Sequence, residues 1–192
     1  VNEFFIPARK TAMHRSHLDH GAVFEDVVRR AQVDPPYHLR SLHRILEGLT
    51  DGRTPAEVRV LDHGCGSGLT LLYLMALGYS NIHGVDVGGP CEGWNRLMEA
   101  RGISGQRFFV YDGAALPLPD DSVDLIISQE VVEHLSAQVL ENYYREEGRV
   151  LSSGGVAYHQ APHRLVPYDS HMKTWFIHYL PRPIYLRINK WI

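Results

Sequence analysis

A chain of 192 residues, 44% of them hydrophobic and 21% charged, can bury the core of one domain and is too apolar for a disordered protein. Its formal net charge of −3, with histidine counted as neutral, gives no case for bulk electrostatic attraction to nucleic acid or to a membrane surface. Two cysteines cannot form a disulfide framework, and no apolar run reaches the ~18 residues of a membrane helix, so we expect a cytoplasmic protein.

The first 55 residues are predicted to form a helical extension. Apolar residues recur three and four positions apart in 22–31 and in 37–49, as on one face of a helix. Pro35 and Pro36 separate the two segments, because proline breaks a helix interior. We therefore expect two short helices before the main fold begins.

Beyond this extension, short apolar runs alternate with helical patterns. Such alternation is typical of βαβ units and predicts an α/β fold with a doubly wound, mostly parallel sheet covered by helices on both faces. The strands are predicted at 58–62, 82–87, 107–111, 123–128 and 156–160, and the helices between them at 69–77, 93–101 and 131–150. No linker or internal repeat interrupts the pattern, so residues 1–192 are predicted to be a single domain.

A glycine-rich loop follows the first predicted strand, with Asp62 before Gly64, Gly66 and Gly68. Glycine permits positive φ and close approach of the backbone to a ligand, and the next helix begins with free N–H groups. Asp86 ends the second strand, where a carboxylate can accept hydrogen bonds from both hydroxyls of a ribose. These residues predict a cofactor site beyond the carboxyl ends of the strands.

Two positions favour one class of cofactor over another. The dinucleotide-binding pattern needs a glycine at position 69, where this chain has Leu69. Asp62 places a carboxylate where a pyrophosphate would be repelled, which suits a cationic sulfonium ligand with an amino-acid group. A nicotinamide-dependent oxidoreductase remains the alternative from another class.

Five ordered segments across about residues 56–160 resemble the motifs of class I S-adenosylmethionine-dependent methyltransferases. They are residues 60–68, 84–86, 111–113, 116–128 and 149–155. The resemblance implies a transferase with a Rossmann-like methyltransferase fold that uses S-adenosyl-L-methionine. His63 departs from the small or apolar residue usual at its position, and we assign it no role.

The same resemblance implies a role for each motif residue. The backbone of Gly64, Cys65 and Gly66, in the loop that ends at Gly68, would line the methionine portion of the cofactor. Asp62 would hold its amino group, directly or through water, and Asp86 its ribose. Asp112 and Gly113 would contact the adenine. Gln129 would lie near the reacting methyl group.

The role of the acidic and histidine residues after the fourth strand is left open between three interpretations. Glu130, Glu133 and His134 share one face if they lie on a helix, and in the first interpretation Glu133 and His134 are purely structural. Alternatively, His134, His163 or His171 is a general base that takes a proton from an acceptor hydroxyl. Thirdly, Glu130, Glu133, His134 and His171 bind a divalent metal, in a spacing that resembles small-RNA 2′-O-methyltransferases and some quinone-precursor O-methyltransferases.

Residues 161–192 are rich in aromatic side chains and are predicted to form a cap over the acceptor side. The alternative is a helix packed on the domain. The family fold normally ends with two further strands, whereas this segment contains four prolines, so we expect the last strands to be lacking and the natural sequence to continue.

The combined interpretation is a methyltransferase that acts on an oxygen atom of a small molecule, with no membrane partner. Nucleic acid is the less favoured acceptor, and an RNA 2′-O-methyltransferase is supported only by the metal hypothesis. A domain that keeps the cofactor pocket without catalysis is a further alternative, because the acceptor side carries no readable motif.

Overall fold

The structure is a computed structural model. It describes residues 20–31, 33, 37–49, 52–89, 91–161, 166–169, 174–181, 183–184 and 187.

Five helices and seven strands make up the described part of the chain. The helices are α1 His20–Ala31, α2 Tyr37–Leu49, α3 Leu69–Ala76, α4 Cys91–Ala100 and α5 Ala137–Val150. The strands are β1 Val60–His63, β2 Ile82–Asp86, β3 Phe108–Val110, β4 Val123–Gln129, β5 Leu151–Gln160, β6 Tyr168–Asp169 and β7 Thr174–Trp175. Three 3₁₀ turns complete them, at Pro55–Glu57, Val132–His134 and Ile177–Tyr179.

The main sheet has the strand order β3-β2-β1-β4-β5, and all its neighbouring strands are parallel. β1 pairs with β2 on one side and with β4 on the other, so the strand order reverses between β1 and β4. Ligands of doubly wound sheets bind at such a reversal, beyond the carboxyl ends of the strands. The predicted fold class is confirmed, and β6 and β7 form a separate antiparallel pair.

Apolar side chains cover both faces of this sheet. Every residue of β1 is buried, and successive side chains alternate between the faces. Val60 joins a cluster with residues of α2, α3 and α4, whereas Leu61 joins a second cluster that includes Val150 of α5. Burial on both faces explains why the strands read as continuous apolar runs.

The predicted N-terminal helices are both present and belong to this packing. α1 contacts α3 and α4. Leu39, Leu42 and Leu46 of α2 are almost fully buried and recur at helical spacing, so one face of α2 covers the core. No helix in the described ranges is long and apolar enough to cross a membrane.

The amino end of β4 is held by a cluster of ion pairs. Asp124, 8% exposed, accepts hydrogen bonds from the guanidinium groups of Arg59 at 2.7 Å and Arg53 at 2.8 Å. The hydrogen bond from Arg59 is the main reason why the pKa of the Asp124 carboxyl lies well below its usual range. This cluster lies at the opposite end of the strand from the predicted cofactor site.

The predicted start of the helix at 131–150 is wrong. α5 begins at Ala137, where the hydroxyl of Ser136 accepts a hydrogen bond from the Val139 N–H and caps the helix. Residues Val132–His134 form a separate 3₁₀ turn, and Glu130 has a φ of 57°. Glu130, Glu133 and His134 therefore do not share one face of an α-helix.

The fifth strand is longer than predicted. β5 begins at Leu151, before the predicted start at 156, and contains an irregularity in its pairing with β4. Opposite Val123 and Leu125 of β4 stand Leu151 and Val156 of β5, so β5 holds extra residues there. Gly154, at φ 82°, permits this bulge.

Candidate active site

A cavity of about 440 Å³ opens at the carboxyl ends of the strands, which is a size typical of small-molecule sites. Segments that follow β1, β2, β3 and β4 all contribute to its walls. Seven of the candidate site residues line it together: Gly64, Gly66, Asp86, Gly113, Gln129, Glu130 and His134.

The other predicted residues of the described part do not line the cavity themselves. Asp62 and Cys65 are buried beside the cavity, at 3% and 7% exposure. Gly68, at φ 75°, precedes the first residue of α3 as its N-cap. Asp112 accepts a hydrogen bond from the Ala114 N–H at 2.8 Å. His163 and His171 lie outside the described residues.

The glycine loop needs glycine for two distinct reasons. Gly64 has a φ of 90°, and a Cβ there would also overlap the side chain of Val131. Gly66 has a φ of 47°, and a Cβ there would meet only the Gly64 carbonyl oxygen, at 4.0 Å. The N–H groups of Gly64 and Cys65 both donate to the Val85 carbonyl, at 2.8 and 3.0 Å, which fixes the loop to β2. The result is bare backbone facing the cavity.

Asp86 is fixed at the wall of the cavity by backbone donors. Its Oδ2 accepts a hydrogen bond from the Gly66 N–H at 2.8 Å, and its Oδ1 accepts one from the Gly88 N–H at 2.9 Å. Each carboxylate oxygen retains a further lone pair. The geometry of Asp86 therefore fits an acceptor for the two hydroxyls of a ribose.

Asp62 is a buried carboxyl group at the end of β1. Burial, and secondarily the charge of Asp86, raises its pKa to about 7. Within the described ranges, no lysine, arginine or histidine forms an ion pair with it. A ligand cation at this position would stabilise its ionised form, so Asp62 fits the ammonium group of an amino-acid portion.

Gln129, the last residue of β4, is held by hydrogen bonds to α3 and to β5. The Thr70 hydroxyl donates to its Oε1 at 3.1 Å, and its Nε2 donates to Gln160 Oε1 at 3.0 Å. These bonds set the orientation of the amide at the cavity wall.

His134 lies at the exposed side of the cavity. Its side chain is 67% exposed, and its Nε2 is 4.0 Å from Glu133 Oε1. The three groups Glu130, Glu133 and His134 do not form a cluster able to hold a metal ion, and no other such cluster occurs in the described part of the chain. The fourth ligand of the metal hypothesis, His171, lies outside that part.

Several cavity residues escaped prediction from the sequence. His63, Tyr111 and Tyr143 line the cavity together with Val131. The departure of His63 from the family pattern was a usable signal, since a polar residue at a buried position needs a partner. Tyr143 lies on a helix far along the chain, and no local pattern marked it.

Comparison with known proteins supplies a family match. A family model described as a methyltransferase domain matches residues 61–159. A protein of Encephalitozoon cuniculi, named as a candidate methyltransferase, is 35% identical over 100 residues, which are 52% of this chain and 42% of that protein. A ribosomal protein L11 methyltransferase of Cupriavidus taiwanensis is 32% identical over 113 residues, which are 57% of this chain and 36% of that protein.

The chain thus spans less than half the length of these curated relatives. Among solved structures, an S-adenosylmethionine-dependent methyltransferase from Mesorhizobium loti superimposes with a TM-score of 0.47. Its sequence identity is 23%, over 73% of this chain and 64% of that one.

Proposed function

The chain belongs to the methyltransferase domain family, and from that premise we propose that it binds S-adenosylmethionine in the cavity and transfers the methyl group to an oxygen of a small-molecule acceptor. The observation that carries the proposal is that residues from four separate motifs line this one cavity: Gly64 and Gly66, Asp86, Gly113, and Gln129. Residues so far apart in sequence meet there only because the strands are parallel.

The residues divide the cofactor between them. Asp62 takes the ammonium group, and the loop backbone around Gly64 and Gly66 takes the rest of the methionine portion. Asp86 takes the ribose hydroxyls, while Asp112 and Gly113 border the adenine. The bound cofactor supplies a methyl group that is already activated on a sulfonium.

The protein has two tasks on the acceptor side. It holds the acceptor oxygen in line with the methyl group, and it removes a proton from that oxygen. His134 is the proposed general base, because it borders the same cavity and its exposure lets it pass the proton to solvent. Gln129, fixed by Thr70 and Gln160, orients the reacting groups.

The domain organisation forms part of the proposal. Residues 1–55 are a helical extension of a single domain, and residues 161–192 are a cap on the acceptor side. Support for the cap is the cluster of exposed aromatic rings on Tyr168, Trp175 and Phe176. The free cysteines support a reducing compartment, the cytoplasm.

Calorimetry should show that S-adenosylhomocysteine binds and that NAD does not. Asp86→Ala should weaken S-adenosylhomocysteine binding by roughly 1–3 kcal/mol, because hydrogen bonds to a charged group are lost. Asp86→Asn keeps one acceptor oxygen and should lose less. Tight binding of NAD with no response to S-adenosylhomocysteine would contradict the proposed cofactor.

Activity needs an acceptor, found by incubating hydroxyl-bearing small molecules with a radiolabelled methyl donor. With that acceptor, His134→Ala should lower turnover about a hundredfold, at the lower end of what a general base supplies. The variant should bind S-adenosylhomocysteine with an unchanged dissociation constant. Turnover of the wild-type protein should be unchanged by a chelator.

The control for His134 is Glu133→Gln, the neighbouring residue within the same 3₁₀ turn. Loss of turnover on chelation, with recovery on adding a divalent ion, would favour the metal hypothesis. Full turnover by both variants would leave His134 a structural residue only.

A further inference from the structure

A triad of His63, Glu147 and His159 lies next to the cavity, with His63 and Glu147 buried and His159 partly exposed. Glu147, on α5, is 3% exposed, and its Oε1 is 2.9 Å from His63 Nδ1. Its Oε2 is 2.9 Å from His159 Nε2, on β5. One carboxylate therefore joins the end of β1, the helix α5 and the strand β5.

Tyr111 connects this triad to the cavity wall. Its hydroxyl is 2.7 Å from His63 Nε2, and Tyr111 itself lines the cavity. The His63 ring is also stacked on Tyr143, with centroids 3.7 Å apart and planes within 6°. Tyr143 in turn donates its hydroxyl to the His63 carbonyl at 3.1 Å. His63 is thus held in position on three sides.

The protonation states of Glu147 and Tyr111 give these hydrogen bonds a direction. Burial raises the pKa of Glu147, but hydrogen bonds from His159 and His63 more than offset this and lower it overall, so Glu147 is ionised and accepts from both. With its Nδ1 facing Glu147, His63 presents its Nε2 to Tyr111. Burial raises the pKa of Tyr111 to about 12, so its hydroxyl keeps its proton and donates it to His63.

We propose that the triad is a positioning device for the cofactor pocket, which acts through Tyr111 on the adenosine half of the cofactor. Tyr111 directly precedes Asp112 and Gly113, and His63 directly precedes Gly64. The bond between them ties the loop after β3 to the loop after β1. This inference rests on the proposed function, since it takes the cavity to hold S-adenosylmethionine.

A purely structural role does not explain this choice of residues. Well-packed apolar side chains often stabilise a core as well as a buried ion pair does. Here the charged group lies one hydrogen-bonded step behind a cavity residue. Both ring nitrogens of His63 and both carboxylate oxygens of Glu147 have partners. Such bonds fix the orientation of the groups that make them, which a binding site needs.

The test measures binding of S-adenosylhomocysteine and of 5′-methylthioadenosine, which lacks the amino-acid portion. Tyr111→Phe keeps the ring and removes only the bond to His63. It should raise the dissociation constants of both ligands by about the same factor, roughly tenfold. Glu147→Gln should stay within about threefold of wild type, because its amide oxygen accepts from His63 and its amide N–H can donate to His159.

The matched control is Asp124→Asn, a buried carboxylate with several hydrogen bonds at the far end of the sheet. It should lower the unfolding temperature and leave both dissociation constants unchanged. A Tyr111→Phe variant that loses stability but binds both ligands like wild type would overturn the proposal, as would a loss confined to S-adenosylhomocysteine. If wild type binds neither ligand, the proposed cofactor site itself fails, and the positioning role fails with it.

Discussion

Glu147→Leu is expected to lower the free energy of unfolding by about 3–5 kcal/mol, the range for breaking a buried charged network by removing one partner. Leucine leaves the Nδ1–H of His63 and the Nε2–H of His159 without their shared acceptor. Urea denaturation at pH 7 measures the change. The loss should shrink at acid pH. The pKa of Glu147 is lowered in the folded protein, so its stabilising contribution is present above the unfolded pKa and is lost as pH falls through the folded one.

Two variants test whether the shared acceptor is the cause. Glu147→Gln keeps an acceptor and should cost clearly less than leucine. Glu146→Gln changes the adjacent buried carboxylate, which binds Arg149 and the Leu116 N–H and not the histidines. A leucine variant as stable as wild type would mean that the triad contributes nothing net to folding.

Asp62→Asn is expected to stabilise the ligand-free protein above pH 7 by roughly 2–4 kcal/mol, as converted from a shift of about three pKa units. The folded pKa of Asp62 is about 7, against 3.8 for an aspartate in the unfolded chain. Between these values the folded state binds the extra proton, so wild-type stability falls as pH rises from about 4 to about 7. The asparagine variant should lack this fall, which urea denaturation over a pH series will measure.

The same substitution should weaken cofactor binding, because it removes the carboxylate proposed to face the ammonium group. In wild type, affinity for S-adenosylhomocysteine should rise as pH increases through about 7, since binding favours ionised Asp62. Asp124→Asn is the control, as its carboxylate is buried at the opposite end of the sheet and is bonded to Arg59. An asparagine variant with the pH dependence of wild type would show that Asp62 does not titrate near neutrality.

A gain in stability with a loss of binding is the pattern expected where a site keeps a strained or poorly solvated group for its ligand. Glu147 and Asp62 differ in this respect. Glu147 has two partners within the protein, whereas Asp62 has the charge of Asp86 nearby.

Much of the fold followed from local patterns. Strand cores, the glycine turn and the acids that end strands are each specified by a few consecutive residues. Parallel strands then place their carboxyl ends at one edge of the sheet. That geometry is why Gly64, Asp86, Gly113 and Gln129 could be expected to meet. The start of α5 was predicted wrongly because the stretch before its cap at Ser136 is as apolar as the helix itself.

The sequence by itself determined the fold class, the position of the glycine loop and the family, because apolar periodicity and turn chemistry act over short spans of chain. Only the tertiary structure decided which polar groups are paired in the core. His63 and Glu147 are 84 positions apart and belong to different elements. Their contact depends on the exact packing of α5 against the sheet, since a hydrogen bond forms only within a few tenths of an ångström, and no local pattern encodes such a distance.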